Sequence, residues 1–118
     1  MKFEVKIIKI GDLVKELLLE NILIIFKSEA PDELAEISVL HTMDDLKENV
    51  EPGDTIKIGN IEYIVTAVGT EVNKTLKQLG HCTFKFNGSS EPDLPGVINL
   101  DGCTPDIKVG DIISIYSI

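Results

Sequence analysis

The sequence predicts a mainly β fold: a small closed or nearly closed β-barrel carrying one or two short helices. Three observations lead there. Apolar and charged residues alternate at the period of a half-buried strand, as in Lys2-Phe3-Glu4-Val5-Lys6-Ile7. Turns containing glycine, proline or aspartate break the chain at short intervals. Valine and isoleucine dominate the apolar residues, while aromatics make up only 5% and Trp is absent. Closing about eight short strands on themselves leaves no bare edge, which favours a barrel; a sandwich is the alternative.

The elements follow in order. Residues 2–9 alternate and form the first strand. Residues 12–20 suit a short helix with Asp12 as N-cap. Ile22–Phe26 is an apolar strand. Pro31 suits the start of a helical turn over Asp32–Ala35. Ile37–His41 is the next strand, and Asp44–Asn49 can form another helical turn. Glu51-Pro52-Gly53-Asp54 is a turn, because Pro pre-sets φ and Gly accepts positive φ. Thr55–Ile58 and Ile61–Val68 are strands joined by the hairpin signal Gly59-Asn60. Thr70–Leu79 has helical spacing, with Val72, Leu76 and Leu79 on one face and Gly80 as the stop. His81–Phe86, Val97–Leu100 and Asp111–Tyr116 complete the strands. Pro52-Gly53-Asp54 and Val109-Gly110-Asp111 each feed an alternating strand, a shared turn signature more than a repeat.

A chain of 118 residues is read as one domain, 1–118. Its net charge of −9 argues against nucleic acid and against anionic membrane surfaces, both of which select Lys and Arg. It suits a basic protein partner, or serves solubility alone. No signal-peptide pattern opens the chain, and its longest apolar run, Ile22–Phe26, is too short to span a bilayer, so a cytoplasmic location is expected. Cys82 and Cys103 are expected to be reduced structural thiols. P-loop, GxGxxG, CxxC, HExxH and serine nucleophile-elbow signatures are all absent from the sequence. No cofactor is expected. A metal site of His41, His81, Cys82 and Cys103 lacks a supporting spacing, since His81 and Cys82 are neighbours and face opposite sides of a strand.

The chain's two histidines are the groups best suited to chemistry near neutral pH. His41 closes a strand and shares a face with Val39 and Ile37. Asp44 or Asp45 can orient its ring, or can simply be solvated charges. His81 follows Gly80, which permits a close backbone approach and a fixed ring orientation. Each histidine can equally be a rim residue bonded to a backbone carbonyl.

Several stretches carry a family resemblance. They are Val65-Thr66-Ala67-Val68-Gly69, Leu79-Gly80-His81-Cys82-Thr83-Phe84-Lys85-Phe86-Asn87-Gly88 and Leu94-Pro95-Gly96. Upstream, Leu40-His41, Leu46-Lys47 and Pro52-Gly53 belong with them. The chain resembles, over nearly its whole length, the glucitol/sorbitol-specific IIA component of the bacterial phosphoenolpyruvate:sugar phosphotransferase system (PTS). The resemblance implies a small β-barrel that takes a phosphoryl group from phospho-HPr on a histidine. It then passes the group to a cysteine of the IIB domain, which phosphorylates the hexitol admitted by the membrane IIC domain. It assigns the acceptor to His41 and a supporting role to His81. Met43 stands where some members carry a second histidine, so no role carries over to that position. Neutral imidazole suits a shuttle because it attacks phosphorus and leaves again readily, and catalysis is then mainly positioning. His81, Thr42 or Thr66 could donate a hydrogen bond to a phosphoryl oxygen. The competing expectations are a non-catalytic binding or regulatory barrel, and phosphorylation at His81. A homo-oligomer could form by pairing of edge strands such as Met1–Ile8 or Ile112–Tyr116.

Overall fold

The computed structural model describes residues 1–117; the last residue of the expected 1–118 domain lies outside it. Eight strands form one closed barrel. They are β1 (Phe3–Ile10), β2 (Ile22–Lys27), β3 (Ser38–His41), β4 (Thr55–Ile58), β5 (Ile61–Val68), β6 (Cys82–Lys85), β7 (Val97–Asp101) and β8 (Ile112–Tyr116). The order around the barrel is β1-β3-β2-β6-β7-β5-β4-β8. The pairs β2–β3 and β6–β7 are parallel and the remaining pairs antiparallel. Three short helices accompany them: α1 (Val14–Leu19), α2 (Asp32–Ala35) and α3 (Val72–Leu79).

The period-two pattern places one residue set inside. Phe3, Val5 and Ile7 of β1 meet Ile25, Val39, Phe84, Leu100 and Ile115 in a single buried cluster. Val72 and Leu76 of α3 join that cluster, so the helix plugs one part of the core. Leu79, expected on the same face, is 38% exposed at the last residue of the helix. Lys2 adds a buried polar clasp. Its Nζ lies 2.8 Å from Asp54 Oδ2 and 2.7 Å from Asn49 O, tying the chain start to the entry of β4. Removing one partner of such a pair strands a buried charge, at a cost of about 3–5 kcal/mol.

Three expectations are corrected. Residues 44–49 form irregular chain instead of a helical turn. The Asp44 carboxylate accepts the backbone N–H groups of Glu4 and Asp45, which pulls the segment onto β1. Leu13, not Asp12, caps α1, and no side chain bonds to that helix end. The edge-strand route to a homo-oligomer is closed, because β1 pairs with both β3 and β8, and β8 with both β1 and β4. The two Gly-Asp turns do correspond. Gly53 and Gly110 have φ of 95° and 99°, and the strands they feed, β4 and β8, lie side by side.

Candidate functional site: a histidine at the barrel mouth

His41 ends β3, two residues beyond the inward-facing Val39, and so turns inward at the end of the barrel. Only 1% of it is exposed. Its ring meets Phe3 edge-on, with centroids 5.9 Å apart. Both ring nitrogens face backbone carbonyls. Nδ1 lies 2.7 Å from Thr42 O, and Nε2 lies 2.7 Å from Gly80 O. A neutral imidazole has one N–H and one lone pair, so it can donate to only one of these oxygens. The neutral ring meets one of the two oxygens lone pair to lone pair.

The close approach is a consequence of Gly80. This residue ends α3 in the left-handed conformation, φ 59°, and its N–H donates to Leu76 O while that of His81 donates to Thr75 O. A Cβ at position 80 would sit 2.7 Å from His41 Cε1. Only glycine tolerates both the dihedral and the contact. A cleft of about 50 Å³ opens over the ring, roughly the space of one or two water molecules. Lys27, Lys77, Asp44, Asp45 and the exposed Met43 contribute to its walls.

Neither aspartate orients the imidazole as expected. Burial works to raise the Asp44 carboxyl, but the hydrogen bonds from Lys47, Glu4 and Asp45 outweigh it and hold the group below the ordinary carboxylate value. The orienting groups are the carbonyls of Thr42 and Gly80. The Thr42 hydroxyl accepts the N–H of Lys6. The Thr66 hydroxyl donates to Ser89 O, with Asn99 O also in reach, on β5, and β2, β6 and β7 stand between that strand and β3.

His81 stands just before β6, half-buried. Its Nδ1 bonds to Ile25 O at 3.0 Å, and its ring packs on Phe26 at 4.9 Å between centroids. It is not part of the wall of the cleft over His41. The two imidazoles meet only indirectly, through Gly80, which touches one and precedes the other. The close backbone approach expected beside His81 is made instead onto His41.

The cysteines are free. Cys82 is buried, which pushes its thiol well above the ordinary range, and Cys103 is exposed. Among the described residues, no group of three or more His, Cys, Asp or Glu side chains converges as metal ligands would.

The family model for the PTS system glucitol/sorbitol-specific IIA component matches residues 2–114. The chain belongs to this family. It is 33% identical over 117 residues to the glucitol/sorbitol-specific EIIA component of Shigella flexneri, covering 98% of this chain and 95% of the relative. The Escherichia coli (strain K12) component of the same description matches with the same identity and coverage. The crystal structure of the PTS system IIA component from Enterococcus faecalis V583 superposes with a TM-score of 0.85 and 24% identity, over 98% of this chain and 100% of that one. At that identity the likeness speaks for the fold of this glucitol/sorbitol IIA family member, and it is the barrel just described. Among the described residues, no helix is long and apolar enough to cross a membrane.

Proposed function

We propose that this IIA component carries a phosphoryl group on Nε2 of His41. The group comes from phospho-HPr and passes to a cysteine of a glucitol/sorbitol IIB domain, at the cytoplasmic face where IIC admits the sugar. One observation carries the assignment of the atom. Nδ1 is held by the carbonyl of the adjacent Thr42, whereas Nε2 faces the carbonyl of Gly80, a residue that lines the cleft as Thr42 does not.

With Nδ1–H donated to Thr42 O, the neutral ring presents its lone pair at Nε2. That lone pair and the Gly80 oxygen repel, so the nucleophilic form of the ring favours movement of the Gly80 peptide away from it. The lone pair then forms the N–P bond as the bond from phosphorus to the donor breaks, and the donor keeps that electron pair. In the second transfer the IIB thiolate attacks phosphorus, and the N–P electrons return to Nε2. Neither transfer needs a metal or a nucleotide from this chain, because the work is positioning and charge stabilisation. The closed resting geometry does not count against His41, since catalytic contacts often form only in the complex. His81 serves as a positioning residue: anchored on Ile25 O and Phe26, it holds the segment that follows Gly80.

A second reading has its own support. Nδ1 of His81 is engaged, but no hydrogen bond among the described residues engages its Nε2. That nitrogen could accept the group instead. Intact-mass spectrometry after incubation with phosphoenolpyruvate, enzyme I and HPr separates the readings. The expected result is one acid-labile phosphoryl group, dependent on HPr and lost in His41→Gln. Uptake that survives in His41→Gln and disappears in His81→Gln transfers the role to His81. No uptake with an active HPr leaves a non-catalytic module of the same fold.

A further inference from the structure

We propose that Lys27 is the cation that binds the phosphoryl group during transfer to and from His41, a role that rests on the reading of His41 as acceptor. Lys27 and His41 are register partners on the parallel strands β2 and β3. Partnered residues project from the same side of the sheet, on strands about 4.8 Å apart. The stem of Lys27 also lies against the residue that covers the acceptor. A Cβ on Gly80 would stand 3.2 Å from Lys27 Cβ and 3.1 Å from His41 Nε2. Displacement of the Gly80 carbonyl therefore opens Nε2 beside the lysine.

The charge on Lys27 has no partner among the described residues. Ion pairs among the described residues join Lys2 to Asp54, Lys47 to Asp44 and Lys85 to Asp93. Lys27 takes part in none of them, and no hydrogen bond among the described residues engages its Nζ. It is nevertheless half-buried, in a chain where acidic residues outnumber Lys and Arg by 20 to 11. Lys77, the other lysine of the cleft, is different. It is exposed in the last turn of α3, where the carbonyl end of a helix favours a cation without any ligand. Asp44 is already neutralised by Lys47 at 2.6 Å.

Phosphoryl transfer spreads negative charge over three phosphoryl oxygens, and a fixed ammonium beside them favours the transition state. Lys27 stays protonated throughout and exchanges no proton. It contributes charge while the N–P bond forms at Nε2 and the bond to the donor breaks.

Single-turnover uptake from phospho-HPr tests this on the full chain, with phosphorus NMR of the product. Lys27→Gln should still reach one group per chain, but about 10- to 100-fold more slowly. Lys27→Arg should keep most of the rate, and Lys77→Gln should lose no more than about threefold. The pH titration of the phosphoryl resonance should shift upward in Lys27→Gln by about half a unit or more, because a neighbouring cation favours the dianion. A wild-type uptake rate and an unchanged titration in Lys27→Gln overturn the role of Lys27 while leaving His41 as acceptor. Failure of the His41 reading shows differently, as a wild-type chain that takes no group or a His41→Gln chain that still does.

Discussion

His41 and His81 flank the same strand, β2, yet the barrel treats them oppositely. His41 follows the inward parity of Val39 and ends up sealed, with a carbonyl on each nitrogen. His81 precedes the inward-facing Cys82, so its parity is the reverse, and its ring packs on Phe26 with one nitrogen engaged. One residue of register separates an imidazole inside the mouth from one outside it. If His41 is the acceptor as proposed, the difference teaches that exposure alone is a poor guide to it. The more exposed ring bonds to the Ile25 carbonyl, whereas the sealed ring lines the same cleft as Lys27.

The sharpest way to break this comparison is to exchange each ring for an amide. His41→Gln is expected to abolish phosphoryl uptake, and His81→Gln to keep full stoichiometry while slowing uptake, both read by intact mass over time. Equal losses in the two variants would mean that the rings act as one unit. Gly80→Ala comes next, because it strikes the contact between the two regions. The new methyl meets His41 Cε1 at 2.7 Å and must adopt φ 59°. A stability loss of about 1–2 kcal/mol in urea unfolding should accompany uptake at least about tenfold slower.

Phe26→Leu addresses the His81 side alone. Phe26 is 4% exposed under that ring, so the change should cost about 1–2 kcal/mol with phosphoryl stoichiometry unchanged. A stoichiometric loss would show that His81 packing reaches His41 directly. Asp44→Asn should have the smallest effect. The folded Asp44 carboxyl lies below its ordinary 3.8, so its contribution is fully present above that value and is lost as pH falls through the lower folded value. The variant should lose less than about 1 kcal/mol at neutral pH and show less acid destabilisation in melting curves taken down to about pH 2. An unchanged acid limb would show that Lys47 and the Glu4 and Asp45 amides contribute nothing there.

Much of the barrel was legible in the chain. Each strand expected from alternation between residues 2 and 116 is present within a residue or two, and Gly80 ends α3 as its type requires. The Asp44–Asn49 helical turn failed because its helix-starting aspartate found better partners on β1, 40 residues away at Glu4. His41 and His81 were also visible as candidates, since imidazole is rare here and chemically apt. Lys27 was not, because its sequence neighbourhood is an ordinary strand end.

Local sequence by itself determined the period-two strands, the turns between them and the helix stop, because those depend on side-chain alternation and on allowed backbone dihedrals. The relation of His41 to everything around it was decided only by the tertiary structure. Strand β2 joins β3 in parallel, which sets Lys27 beside His41, and α3 ends over the barrel mouth, which brings the Gly80 carbonyl onto Nε2. Such contacts between distant segments depend on register and closure, and no short stretch of the chain encodes them.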